Sequence, residues 1–112
     1  MDDGETNEAT RAELDARIED VGGMLRVALL IPIATGGKGS RRTLDVRPIT
    51  LADWRIYQRA AAAKSDTEAF DVLVDRLAQP TDLHLQITCA GDVAALSRAV
   101  VRQIEKFLRS GG

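Results

Sequence analysis

Met24-Leu25-Arg26-Val27-Ala28-Leu29-Leu30-Ile31-Pro32-Ile33, then after Ala34 the run Thr35-Gly36-Gly37-Lys38-Gly39-Ser40, then Arg41-Arg42-Thr43-Leu44-Asp45-Val46-Arg47: the fold turns on this stretch. Leu25, Val27, Leu29, Ile31 and Ile33 recur at every second position, the period of a strand with one covered face. Arg41, Thr43, Asp45 and Arg47 then alternate with Arg42, Leu44 and Val46. Two alternating runs around a polar, glycine-rich connection predict a β-hairpin. Pro32 has no amide to give a ladder, which marks an edge strand or a strand end.

Downstream the period becomes helical. Pro48 closes the hairpin, and Thr50-Leu51-Ala52-Asp53 has the cap-and-acid spacing of a helix start. Leu51, Trp54, Tyr57 and Ala61 carry that helix to about Lys64. Ser65-Asp66-Thr67-Glu68 repeats the signal, with Glu68 expected to reach back to the cap. Phe70, Leu73, Val74 and Leu77 form the stripe of a second helix that must stop before Pro80. Leu83, Leu85 and Ile87 alternate and predict an extended connector. Val93, Leu96, Val100, Ile104, Phe107 and Leu108 then mark a long amphipathic helix from about Asp92, ending at Gly111-Gly112. Arg98, Arg102, Lys106 and Arg109 lie in its second half, where cations suit the helix dipole.

Upstream, residues 1–20 hold eight acids against Arg11 and Arg17, while the remainder holds nine acids against 13 Lys and Arg. Leu14, Ile18 and Val21 are too few to anchor much. Residues 1–22 therefore read as a mobile acidic arm, helical at most over Ala9–Asp20, that ends at the breaker Gly22-Gly23. An acidic start is also unlike an export signal. The longest apolar run, Val27–Ala34, falls far short of the roughly 20 residues that span a bilayer. One cysteine, Cys89, excludes an internal disulfide and suits a reducing compartment. These features predict a cytoplasmic protein of one domain. With 112 residues it buries only about two thirds of its unfolded surface, which favours self-association.

No residue set points to catalysis. His84 is the only histidine, and with Cys89 it makes neither a triad nor a zinc set, so His84 reads as half-exposed and Cys89 as a small buried apolar residue. Gly36-Gly37-Lys38-Gly39-Ser40 lacks the phosphate-loop frame, because Gly39 follows Lys38 and a strand rather than a helix comes next. Asp71 and Asp75, one turn apart, read as a solvated helix face. No cofactor or metal is expected. Arg41, Arg42, Arg47, Arg55 and Arg59 would offer a phosphate-contacting cluster if they converged, but a pI near 5.3 and few aromatic residues speak against nucleic acid.

The order of elements and several short motifs resemble a known family. Leu30-Ile31-Pro32-Ile33, Leu44-Asp45-Val46-Arg47-Pro48-Ile49-Thr50-Leu51-Ala52-Asp53-Trp54, Phe70-Asp71-Val72-Leu73-Val74-Asp75-Arg76-Leu77 and the ending Ile104-Glu105-Lys106-Phe107-Leu108 look like the tail assembly chaperones of contractile-tailed, Mu-like phages and prophages. The likeness covers about residues 25–108. It departs at the hairpin exit, where Arg47 and Pro48 are adjacent and Ile49 separates Pro48 from Thr50. The resemblance implies a non-enzymatic factor that keeps the helical tape-measure protein soluble and helps recruit tail-tube subunits, and that is absent from the mature virion.

The expectation is thus an α+β fold, an N-terminal β-hairpin followed by three α-helices, with residues 1–22 as a mobile arm and residues 23–112 as the domain. Its apolar stripes look too extensive for so small a body. They would be offered to a partner helix through Leu29, Ile31, Trp54, Tyr57, Phe70, Leu73, Leu77, Leu96, Val100, Ile104 and Phe107. The edge of strand 25–33 would serve pairing between subunits. A small nucleic-acid-binding regulator and a structural tail component are the alternatives. Neither a membrane nor a small-molecule substrate is expected.

Overall fold

The computed structural model describes residues 3–37 and 39–111, residues 3–9 by their backbone alone. Lys38 of the glycine-rich connection, Gly112 and the first two residues of the expected arm lie outside it. The chain mixes helix and sheet. Helix α1 (Asp3–Ala16) leads into strands β1 (Ile18–Val21), β2 (Met24–Ala34) and β3 (Ser40–Val46). Helices α2 (Leu51–Ala63) and α3 (Asp66–Leu77), the two-residue strand β4 (Ala78–Gln79), a 3₁₀ turn (Leu83–Gln86) and helix α4 (Ala90–Arg109) follow. The strands form one antiparallel sheet in the order β1-β2-β3-β4.

The hairpin and three downstream helices form where period and caps place them. Thr50 and Asp53 make the reciprocal capping box of α2, whereas α3 has the bond from the Glu68 amide to Ser65 Oγ at 3.1 Å without the expected return from the Glu68 side chain. There are, however, four helices and four strands, because residues 3–21 supply α1 and β1. Ile18–Val21 pairs in register with Val27–Met24, and Ile18 enters the core. Gly22 (φ +64°) and Gly23 (φ +95°) are the tight turn of this extra hairpin rather than a break behind an arm. As a result β2 lies inside the sheet, not at its edge.

A second correction concerns Ile31. The β2–β3 register shifts between Ala28 and Ile33, so the strict alternation fails there. Leu25, Val27, Leu29 and Ile33 face the core, but Leu30 is 65% exposed and Ile31 47%. A bulge of this kind turns side chains to the other face. The connector over 81–88 also coils instead of extending. Asp82 (φ +65°) starts a turn whose Leu85 amide returns to the Asp82 carbonyl at 3.1 Å, leaving Leu85 in solvent.

Helix α4 lies across β2 and β3, flanked by α1 and α3, and α2 rests on α3. Leu25, Val27, Val46, Leu73, Leu77, Leu96 and Val100 form the centre of the main core. A smaller cluster joins Leu29, Ile33 and Leu44 beneath Leu83 and Ile87. Glu19, Arg26 and Ala28 are exposed on the open face of the sheet, where Arg26 Nε donates to Asp45 Oδ1 at 3.0 Å.

Candidate protein-binding surface

The stripe of α4 is enclosed in its middle and opens at both ends: Leu96 and Val100 are buried, whereas Val93 and Leu108 are exposed. Leu29, Leu73 and Leu77 are buried as well, so these five expected binding positions are corrected to core positions. A small chain hides more than its length suggests because α1 and β1 add cover that an arm would not give. Of the remaining expected positions, Phe70 and Ile104 are half-buried against the core, and Ile31 is exposed at the bulge.

Trp54, Tyr57 and Phe107 come together. The Trp54 and Tyr57 rings stack with centroids 5.0 Å apart, and Phe107 lies 5.5 Å from Trp54 at a tilt. All three are half-buried, with one side on the core. Phe107 also forms one wall of a groove of about 260 Å³, lined further by Gly23, Pro48, Ile49, Gln103, Lys106 and Ser110. Gln103 makes its floor. Fully buried in the stripe of α4, it donates from Nε2 to the carbonyls of Val46 (2.8 Å) and Gly23 (3.0 Å), tying helix to sheet. The signal for it was in the sequence, since an amide at a stripe position between Val100 and Phe107 needs buried partners.

The basic row of α4 reaches this groove through Lys106, while Arg98, Arg102 and Arg109 line a neighbouring depression with Glu105 and Lys106. Lys106 Nζ meets Asp20 Oδ2 at 2.9 Å, Arg98 Nε meets Asp15 Oδ1 at 2.8 Å, and Arg102 Nη1 stands 3.7 Å from the same atom. The Arg98 hydrogen bond holds Asp15 below its ordinary pKa, and the Lys106 bond does the same for Asp20. Part of the acidic segment therefore lies against the cations of α4.

Two further ion clusters escaped the sequence reading. Asp53, fully buried, accepts from Arg47 Nη1 and Nη2 (2.6 and 2.9 Å), Arg76 Nε (2.9 Å) and the Thr50 amide (2.9 Å). The Arg47 pair, over the opposing effect of burial, holds the Asp53 carboxyl far below the usual carboxylate range. Asp92, 1% exposed, accepts the consecutive amides of Leu30 (2.8 Å) and Ile31 (3.2 Å) at the β2 bulge and an ion pair from Arg17. Burial pushes its pKa up, but the two amides and Arg17 outweigh it and the carboxyl is lowered. Arg17 also donates to the carbonyls of Ala28 (2.8 Å) and Gly91 (3.1 Å).

His84 is buried rather than half-exposed. Its Nε2 lies 2.7 Å from Asp75 Oδ1, while Nδ1 is buried with no partner among the described residues; Asp71 and Asp75 are both exposed on α3. Cys89 is half-buried. Among the described residues, no three His, Cys, Asp or Glu side chains converge to hold a metal ion, and no helix is long and apolar enough to cross a membrane. The arginine cluster is divided, with Arg47 on Asp53 and Arg41 beside Asp45, while Arg42, Arg55 and Arg59 are exposed. Comparisons with models of protein families, with curated proteins and with solved structures find no match to this chain.

Proposed function

We propose that this chain is a non-enzymatic, protein-binding assembly factor of the tail-assembly-chaperone kind that its motifs resemble. In this reading it works in the cytoplasm of the producing cell. It shields apolar stripes of the tape-measure protein, helps recruit tail-tube subunits and self-associates. The observation that carries the binding half of this reading is the aromatic trio Trp54, Tyr57 and Phe107 beside a rigidly floored apolar groove. Half-buried aromatic side chains on fixed elements are the usual anchors of protein recognition. The name of the partner rests on the motif resemblance alone.

Co-expression with the tape-measure protein of the same gene cluster is the test. The expected result is more soluble tape-measure protein and recovery of both chains together; unchanged solubility with no co-purification removes the proposal. The nucleic-acid alternative has less support, since two of its five arginines are held by carboxylates. Salt-sensitive retardation of DNA or RNA in a low-salt gel would revive it.

A further inference from the structure

We infer that the groove at the end of α4 takes an amphipathic partner helix whose apolar anchor is flanked by acidic side chains, and that Asp15 and Asp20 hold the place of those acids until the partner arrives. The inference deepens the protein-binding reading and rests on it. The groove, at about 260 Å³, is smaller than the roughly 300–1,000 Å³ of pockets that enclose small molecules, a size that suits anchoring side chains. It is preformed, because the two Gln103 bonds fix its floor to the β1–β2 turn and to β3. Ile49, Pro48 and Phe107 give it apolar walls, and Lys106 stands on its rim.

The charge pattern selects the partner. Arg98, Arg102, Lys106 and Arg109 follow one another at intervals of four, four and three residues, a row along one side of α4 about 16 Å long at 1.5 Å per residue. A second helix lying along α4 would meet this row with acids one turn apart while its apolar face enters the groove. Three of the four cations are paired within the chain: Arg98 with Asp15 and with Glu105 of α4 itself, Arg102 with Asp15, and Lys106 with Asp20. Asp15 and Asp20 are 36% and 50% exposed in their side chains, the setting in which ion pairs exchange at little cost. An arriving carboxylate therefore replaces one acid by another and gains the apolar contact besides.

The experiment uses a fluorescein-labelled synthetic 18-residue helix with Leu at i, i+3, i+4 and i+7 and Glu on the flanks, with a Lys-flanked version as control. Binding is followed by anisotropy and by the emission of Trp54, the single tryptophan. The expected result is binding of the Glu helix at least tenfold tighter than the Lys helix, weakening as NaCl rises, with a shift in Trp54 emission. Lys106→Glu should weaken the Glu helix about tenfold with circular dichroism unchanged, and Phe107→Ala should weaken both helices. The pair Asp15→Asn with Asp20→Asn should tighten the Glu helix several-fold. Equal binding of the two helices, or full affinity in Lys106→Glu, overturns the groove. Unchanged affinity in the double Asn variant overturns the place-holding role. Tape-measure capture that survives Lys106→Glu leaves the chaperone reading and removes the groove. A bound Glu helix without tape-measure capture does the reverse.

Discussion

Five aspartates meet arginine or lysine in the fold, and four of them divide by how far they are enclosed. Asp53 and Asp92 are enclosed, and each accepts backbone amides as well as guanidinium: Thr50 for the first, Leu30 and Ile31 for the second. Asp15 and Asp20 keep 36% and 50% of their side chains exposed against α4, and Asp20 accepts the Gly23 amide besides its pair with Lys106. A carboxylate removed from water must have its lone pairs filled, and once filled it is fixed, because loss of one partner strands the others. A carboxylate still in water can let go. The first pair holds the architecture; the second is free to be exchanged.

That division is tested first where the effect is greatest. Asp53→Ala strips Arg47 and Arg76 of their common partner and removes half the capping box of α2, with an expected loss of about 3 kcal/mol in urea unfolding. Asp92→Ala should cost a similar ~3 kcal/mol and speed hydrogen exchange at the Leu30 and Ile31 amides, measured by NMR. Acid comes next. Both carboxyls have folded pKa values below their unfolded value near 3.8, so their stabilisation is fully present above about pH 4 and is lost as pH falls through the lowered values. The unfolding midpoint in urea should therefore drop steeply below pH 4, and less steeply in Asp53→Asn. Gln103→Leu, which removes the side-chain amide that the Gly23 and Val46 carbonyls accept from, should cost about 1–3 kcal/mol by the same measurement. Asp15→Asn should change stability by less than about 1 kcal/mol, because its carboxylate keeps contact with solvent and the Asn amide oxygen can still accept from Arg98. A loss as large as that of Asp53→Ala would erase the distinction.

Much of the fold was legible because its signals are local. Alternation at Leu25, Val27 and Leu29, the caps at Thr50 and Ser65, and the stripe from Leu96 to Phe107 each act within a turn or a strand. What escaped is tertiary. Ile18-Glu19-Asp20-Val21 has one core residue and two acids, and becomes a strand only because β2 offers it a ladder. Ile31 lost its inward place to a bulge that no period announces. Asp53 was read as a helix-start acid, and so it is, but Arg76 comes to it from 23 residues on. Of the binding surface, Trp54, Tyr57 and Phe107 were named from type and spacing. Their meeting, and the groove beside Phe107, depend on how α4 crosses the sheet.

Strand β2 runs on after β1 has stopped, and there side chains finish what the missing neighbour would have done. Arg17 fills the Ala28 carbonyl and Asp92 takes the amides of Leu30 and Ile31. A stranger strand sliding up to Leu30 and Ile31 would find greasy side chains but no vacant main-chain donors at those two residues. Sideways polymerisation into ribbons is thereby discouraged at the very place where the sequence is most adhesive.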